Sequence, residues 1–411
     1  MKKKLQFIIT KGEIIMSEIK IVENIKADDI GPELIVHWYD PQVKVKGVMV
    51  VDSLALGMAT GGTRMMPDIT TEEICLLARA MTYKKATMGV PVGGAKAGIW
   101  ADPNIKNPQR EQILRAFGRA IKPLFKANIV RYGEDMGINH SDVEIIGEEA
   151  GYPPPPKTNF SKLLDDEPLE NHFTGYGVVI AAKAACNFIG LNLSGAKVAI
   201  EGFGKVGGGA ARYFAKEGAK VVAISTILGA IYNEKGLDIK KLLDLRKKLG
   251  DECILEYKDG EAIDKANLLF LPVDILVPGA RPYIINEKNV NEVKARVISS
   301  GANIPITDSA LETLHKKGIV VVPDFISNSG GSTAGLSRRS GLTPDQTFIA
   351  IEKIIGRNTR EVLEAASREK VNPTKLAIDK ALKKIRDAKA AKAELIPHEV
   401  ALKKFRELVG L

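Results

Sequence analysis

Residues 197–201, Lys-Val-Ala-Ile-Glu, form an apolar run of strand length. It leads directly into Gly202-Phe203-Gly204-Lys205-Val206-Gly207, and a helical stretch follows over 205–217. No other feature constrains the fold as tightly. In a G-x-G-x-x-G turn the first glycine permits the sharp turn. The second lets the backbone approach a pyrophosphate, and the third lets the helix lie against the strand. The helix N-terminus then offers unpaired N–H groups to the phosphates. The pattern carries this meaning only between a strand and a helix, which is its position here. A second strand is expected over 220–225, and further apolar runs occupy 275–277, 297–299 and 319–322. Strands alternating with helices predict a parallel, doubly wound α/β sheet with right-handed crossovers.

A nucleotide at such a turn has its adenosine ribose near the end of the second strand, where an acidic residue marks NAD. The sequence there is Ala223-Ile224-Ser225-Thr226-Ile227-Leu228, without carboxylate or arginine. NAD or NADP is therefore the expected cofactor, and Ser225 and Thr226 have hydroxyls for either form.

At 411 residues the chain exceeds a single core, so about two domains are expected. No apolar run reaches the length of a spanning helix, and no membrane partner is expected. The net charge is +9, but the lysines are spread along 239–248 and 380–392 without aromatic interleaving. This argues against nucleic acid and for an anionic small molecule. Cys75, Cys186 and Cys253 lie far apart, and His37, His140, His172, His315 and His398 show no ligand spacing. Neither a disulfide framework nor a metal site is expected, and a cytoplasmic setting fits. The basic N-terminus mimics the start of a signal peptide, but Thr10, Lys11 and Glu13 break its apolar part. Residues 1–15 read as an extension.

Ahead of the glycine turn, 44–51 reads as a strand and 71–88 as a helix capped at Thr70-Thr71-Glu72-Glu73. Residues 109–126 read as a second helix, and 129–132 as a strand ending at Gly133-Glu134-Asp135-Met136-Gly137. The proline-rich, acidic stretch 151–171 reads as a loop. A small-residue helix is expected from Thr174 to about 189, and the chain beyond 345 reads as helical. Pro91-Val92-Gly93-Gly94-Ala95-Lys96-Ala97-Gly98 sets a lysine in a run of glycines and alanines, with a glycine-rich turn beside a surface lysine as the bland alternative. Small residues let backbone and substrate close on Lys96. Desolvation, with Lys84 twelve residues earlier as a second cation, would lower its pKa toward neutrality and fit it for proton transfer.

Together these elements resemble the glutamate/leucine/phenylalanine/valine dehydrogenase family over most of residues 45–340. Gly61-Gly62-Thr63-Arg64-Met65 resembles the family's element lining the substrate cleft, and Met81-Thr82-Tyr83-Lys84 the element whose lysine binds the substrate α-carboxylate. Gly93-Gly94-Ala95-Lys96 matches the catalytic lysine element, and Glu134-Asp135-Met136-Gly137 the catalytic aspartate element. Thr174-Gly175-Tyr176-Gly177 resembles a helix start whose threonine contacts the cofactor. Ser300-Gly301-Ala302-Asn303 resembles the element beside the nicotinamide ribose, and Asn328-Ser329-Gly330-Gly331 one that helps hold the substrate.

The resemblance implies NAD(P)-dependent, reversible oxidative deamination of an L-amino acid to its 2-oxo acid and ammonia by a homo-oligomer. It implies Lys96 and Asp135 as catalytic residues, and Lys84, Gly61, Gly62, Thr60, Asn328 and Gly335 at the substrate. At the cofactor it implies Thr174, Gly202, Phe203, Gly204, Lys205, Val206, Gly207, Ser225, Thr226, Ala302 and Asn303. Two domains around a cleft are implied: a substrate domain with a mixed sheet over 16–172 and a Rossmann-like dinucleotide domain over 173–340. Helices over 341–411 would return to the first domain. In this family a lysine just before the glycine pair and a serine after the asparagine-glycine-glycine element mark glutamate. Thr60 and Gly335 stand there instead. A carboxylate buried without a cation is costly, so an aliphatic substrate of the leucine or valine type is expected. Alternatives are a glutamate dehydrogenase with a non-standard pocket, and a non-catalytic nucleotide-binding regulator. Lys84, Lys96 and Asp135 together argue against the regulator.

Overall fold

The computed structural model describes residues 27–153, 158–391 and 396–411, together with Ile25 and Pro156. The extension expected at 1–15 lies outside them. The chain divides into two compact units, one comprising residues up to 155 with 381–404, the other 156–380 with 405–411.

The first unit holds strands β1 (Leu34–Asp40), β2 (Val45–Ser53), β3 (Ala59–Met65), β4 (Gly93–Ile99) and β5 (Val130–Glu134), in the order β1-β2-β4-β3-β5. β1 and β4 run antiparallel to β2, while β4 and β5 run parallel to β3. The sheet is therefore mixed. Along β2, Met49 and Val51 enter one core with Phe117, Ile121 and Ile146 of helices α2 (Gln109–Lys126) and α3 (His140–Ala150). Val48 and Val50 enter a second core with Ile74, Leu77 and Ala78 of α1 (Thr71–Met88). This is the period-two alternation of a strand covered on both faces. The Thr70 side chain accepts from Glu73 N to start α1, and left-handed Gly89 ends it.

The run around Lys96 is not a turn. It is β4, in the middle of the sheet and buried throughout. Glycine is a poor strand former, but a side chain here would have no room. At Gly93 it would collide with the Ser53 carbonyl, at Gly94 with Thr82 of α1, and at Gly98 with Ile69. Close seating of α1 and the neighbouring strands overrides local propensity. The small residues of β4 admit α1 and the neighbouring strands.

The second unit opens on a short hairpin, β6 (Leu163–Leu164) and β7 (Glu167–Pro168), within the stretch read as a loop. Helix α4 (Glu170–Phe188) follows, then β8 (Lys197–Glu201), α5 (Lys205–Lys216), β9 (Lys220–Thr226) and β10 (Gly229–Tyr232). Next come α6 (Ile239–Leu249), α7 (Cys253–Glu256), β11 (Glu261–Ile263), β12 (Ile275–Pro278), β13 (Val297–Ser299), α8 (Asp308–Lys316) and β14 (Val320–Val322). The sheet order is β11-β10-β9-β8-β12-β13-β14. The strands from β9 to β14 are parallel, as expected, while β10 and β11 add an antiparallel edge. Helices α9 (Asp324–Ser327), α10 (Gly330–Arg339), α11 (Pro344–Glu369), α12 (Pro373–Ala390) and α13 (His398–Val409) complete the chain. The later part of α12 belongs to the first unit, where Ala381 and Ile385 pack with Ile30, Leu56 and Ala86.

Helix α4 begins four residues before the expected start, so Thr174 lies one turn inside it. Buried His172 anchors that extra turn: one ring nitrogen meets the Leu164 carbonyl at 2.9 Å and the other the Tyr213 hydroxyl at 3.0 Å.

Candidate active site

In the first unit, Lys96 is 2% exposed and its Nζ lies 2.9 Å from Asp135 Oδ2. Asp135 follows directly on β5. The glycine pair of β3 makes this approach possible, since a Cβ on Gly62 would stand 2.8 Å from the Asp135 Cβ. Gly61 likewise leaves space for the Ala95 carbonyl of β4. Arg64 of β3 donates Nε to Asp135 Oδ2 at 3.0 Å and pairs through Nη1 with Glu73 of α1. Burial is the main force lowering the Lys96 pKa, with Asp135 opposing and Arg64 assisting. For Asp135 burial acts upward, but Lys96 and Arg64 outweigh it and hold the carboxyl at about 2. At neutral pH the carboxylate is ionised beside an amine whose proton is loosened.

The cation that assists burial at Lys96 is thus Arg64, where spacing alone pointed to Lys84. Lys84 is buried near the C-terminal end of α1. Two residues earlier Thr82 donates to Asp52 Oδ2 at 2.6 Å, and Asp52 is gripped by Arg79 Nε at 2.9 Å. These bonds set that end of the helix on β2. Thr60 of β3 is aligned with Gly94 of β4, and its buried hydroxyl has no protein partner among the described residues.

In the second unit the three glycines of the turn have three different surroundings. Gly202 has φ 88°, a left-handed conformation that favours glycine. A side chain at Gly207 would strike the Gly202 carbonyl, so that glycine brings helix and strand together. Gly204, capping α5, has no atom within 4 Å of where a Cβ would be. The N-terminus of α5 is therefore open to an incoming phosphate. Phe203 is 1% exposed, and the Arg246 guanidinium lies 5.5 Å from its ring centre. Its ring serves the core and leaves only backbone for a ligand. Lys205 is exposed at the first position of α5, and Val206 packs beside Gly301.

Ser225 and Thr226 are both buried. Ser225 Oγ accepts from Gly202 N at 3.0 Å, and Thr226 Oγ1 donates to the Asp251 carbonyl at 3.0 Å. These bonds tie the end of β9 to the glycine turn and to the Asp251 carbonyl.

Asn328 joins two of the sequence elements, since its Nδ2 donates to Ala302 O and to Asn303 Oδ1, each at 2.9 Å. Its Oδ1 is buried and has no protein partner among the described residues. A Cβ on Gly331 would stand 2.7 Å from Thr174 Oγ1, so the glycines after Asn328 let α10 seat against α4. Gly335 on α10 has open space where a side chain would begin.

Three contributors were not assigned roles from sequence. Arg64 and Glu73 stood inside recognised patterns, one as part of a motif and the other as part of a helix cap. Glu201, a charge at the end of a buried strand, was the available signal for the third. Its Oε2 accepts from Gly279 N at 2.9 Å and Ala280 N at 2.7 Å, tying the end of β8 to the segment after β12. Among the described residues no cluster of His, Cys, Asp or Glu could hold a metal ion. Among them also, no helix is long and apolar enough to cross a membrane.

The family model described as "Glutamate/Leucine/Phenylalanine/Valine dehydrogenase" matches residues 168–393, and that of the "Glu/Leu/Phe/Val dehydrogenase, dimerisation domain" matches 36–152. The glutamate dehydrogenase of Aeropyrum pernix is 33% identical over 75% of this chain and 76% of its own length. The NADP(+)-dependent glutamate dehydrogenase of Pyrobaculum calidifontis is 34% identical over 70% of each chain. Among solved structures, the hetero-hexameric glutamate dehydrogenase of Thermus thermophilus, in a Leu-bound form, superposes with TM-score 0.79 at 25% identity. That match covers 88% of this chain and 90% of the other. L-tryptophan dehydrogenase of Nostoc punctiforme superposes with TM-score 0.63 at 25% identity, covering 88% and 98%. Fold and comparisons define an amino-acid dehydrogenase. The chain belongs to the glutamate/leucine/phenylalanine/valine dehydrogenase family.

Proposed function

We propose that the chain catalyses reversible oxidative deamination of an L-amino acid with an uncharged, aliphatic side chain, using NAD or NADP. The observation that carries this reading is the buried Lys96–Asp135 pair, 2.9 Å between Nζ and Oδ2, in a chain of this family. The glycine turn fits a dinucleotide, because Gly204 leaves the α5 N-terminus open. Gly202, Gly204, Lys205 and Val206 would hold the pyrophosphate mainly through backbone, and Ala302, Asn303 and the free Oδ1 of Asn328 would serve the nicotinamide end. When bound, the nucleotide supplies the hydride acceptor.

This chain's own residues manage charge and protons. Lys84 is a cation for the substrate α-carboxylate. Loss of hydride from Cα leaves an iminium, which water must attack. Lys96, its pKa lowered by burial, takes a proton from that water and stabilises the resulting oxygen. Asp135, ionised at rest, accepts a proton from the substrate amine and returns it to the nitrogen as ammonia departs. Neither Thr60 nor Gly335 supplies a cation, and an unpaired buried carboxylate would be costly. That favours leucine- or valine-like substrates. The names of the curated relatives favour glutamate as the second reading, with the unpartnered Thr60 hydroxyl as a polar contact. The family's dimerisation domain supports assembly as a homo-oligomer.

The test is a panel of L-amino acids with NAD or NADP, followed by reduced-nicotinamide absorbance. Leucine or valine should give the highest kcat/KM. Glutamate outrunning both would overturn the substrate assignment, and nucleotide binding without reduction by any amino acid would overturn the enzymatic one.

A further inference from the structure

The Asp135 carboxylate receives both of its cations on one oxygen. Lys96 Nζ stands 2.9 Å from Oδ2, and Arg64 Nε donates to the same atom at 3.0 Å. Among the described residues Oδ1 has no hydrogen bond, and the side chain keeps 19% exposure. Arg64 is itself fixed at its other end by Glu73, whose backbone N–H is capped by Thr70 at the start of α1. The neighbouring Glu134 is engaged by His140 at 2.9 Å. The charged groups at the pair are therefore Lys96 from β4, Arg64 from β3, Glu73 from α1 and Asp135 itself: two cations and two anions. A guanidinium presents donors in fixed directions. Anchored by one carboxylate at Nη1 and bonded to another at Nε, Arg64 acts as a strut between α1 and Asp135.

We propose that Arg64 is a positioning residue for the amine chemistry. It holds Asp135 with Oδ2 toward Lys96 and leaves Oδ1 to accept from the substrate amine, and Glu73 holds Arg64 in place. The proposal rests on the reading of Lys96 and Asp135 as the catalytic pair. Without the strut the carboxylate is free to rotate and give both oxygens to Lys96. The lysine would then keep its proton, and the substrate nitrogen would lose its acceptor.

The test compares Arg64→Gln, Arg64→Lys and Glu73→Gln with the unmodified enzyme and with Lys96→Ala. For each, kcat, KM and the pH profile are measured with the best substrate. Arg64→Gln should lower kcat by about 100-fold, within the usual range for a disabled proton-transfer group, with a much smaller change in KM. Removing that cation should move the Lys96-governed limb to higher pH. Glu73→Gln removes the anion but keeps an amide oxygen to accept from Arg64 Nη1, so Arg64 stays on Asp135 and the limb should move to lower pH. Arg64→Lys should fail to restore kcat, because a lysine lacks the fork that spans both carboxylates. A purely structural role would not shift the two limbs in opposite directions. Unchanged kcat and pH limbs in Arg64→Gln and Glu73→Gln, with Lys96→Ala inactive, would overturn this proposal alone. An active Lys96→Ala would overturn the reading beneath it. If Arg64→Gln does not fold, Glu73→Gln decides: the Glu73 side chain is 35% exposed, and an unmoved limb refutes the strut.

Discussion

The proposed chemistry turns on a few side chains whose burial sets their protonation. The proposed mechanism needs Lys96 as a neutral amine, so turnover should rise with pH through its lowered pKa; an initial-rate pH profile with amino acid saturating checks this. His172 gives a second pH dependence, in stability. Its pKa lies at about 4, chiefly because of burial, with the Arg212 charge adding to it. The unfolded chain therefore takes up this proton near pH 6.5, and the folded one only near 4. The stability tied to neutral His172 is complete above pH 6.5 and is lost as pH falls toward 4. Denaturant melts between pH 7 and 4 should show this slope, and His172→Gln should flatten it. At this scale the sequence disclosed candidate residues more readily than who their neighbours are. Lys96 and Asp135 were legible because each stands in a motif. The partnership with Arg64 and Glu73 was not, because strand register and helix placement create it.

At the scale of elements, glycines carry unequal burdens that their motifs do not reveal. Gly94→Ala would press a methyl group into Thr82 of α1, an overpacking that costs about 1–3 kcal/mol, read as a lower midpoint in denaturant. Gly204→Ala meets no neighbour within 4 Å. It should leave the denaturant midpoint unchanged and weaken nucleotide affinity, measured by titration calorimetry. Loss of stability without loss of affinity would contradict that assignment. The parallel strands and most helices of the second unit were readable, since apolar runs bounded by turns alternate there. β3 and β4 were not. Glycine-rich strands defy local propensity, and only the close approach of α1 and neighbouring strands explains them. The antiparallel edge escaped notice because β10 and β11 are short and lack a long apolar run.

At the scale of the whole molecule, each unit has its own sheet and core, and the proposed tasks divide between them. Saturating NAD or NADP should stabilise the chain by about 2.7 kcal/mol at a hundredfold excess over Kd, seen as a raised melting temperature. A homo-oligomer predicts a sedimenting mass that is a multiple of the single chain. The most direct test of the central claim is Lys96→Ala, assayed for turnover and for nucleotide affinity in the same preparation. The account predicts turnover reduced by about 10²–10⁴-fold with nucleotide affinity retained. Undiminished turnover, or affinity lost in step with turnover, would contradict it.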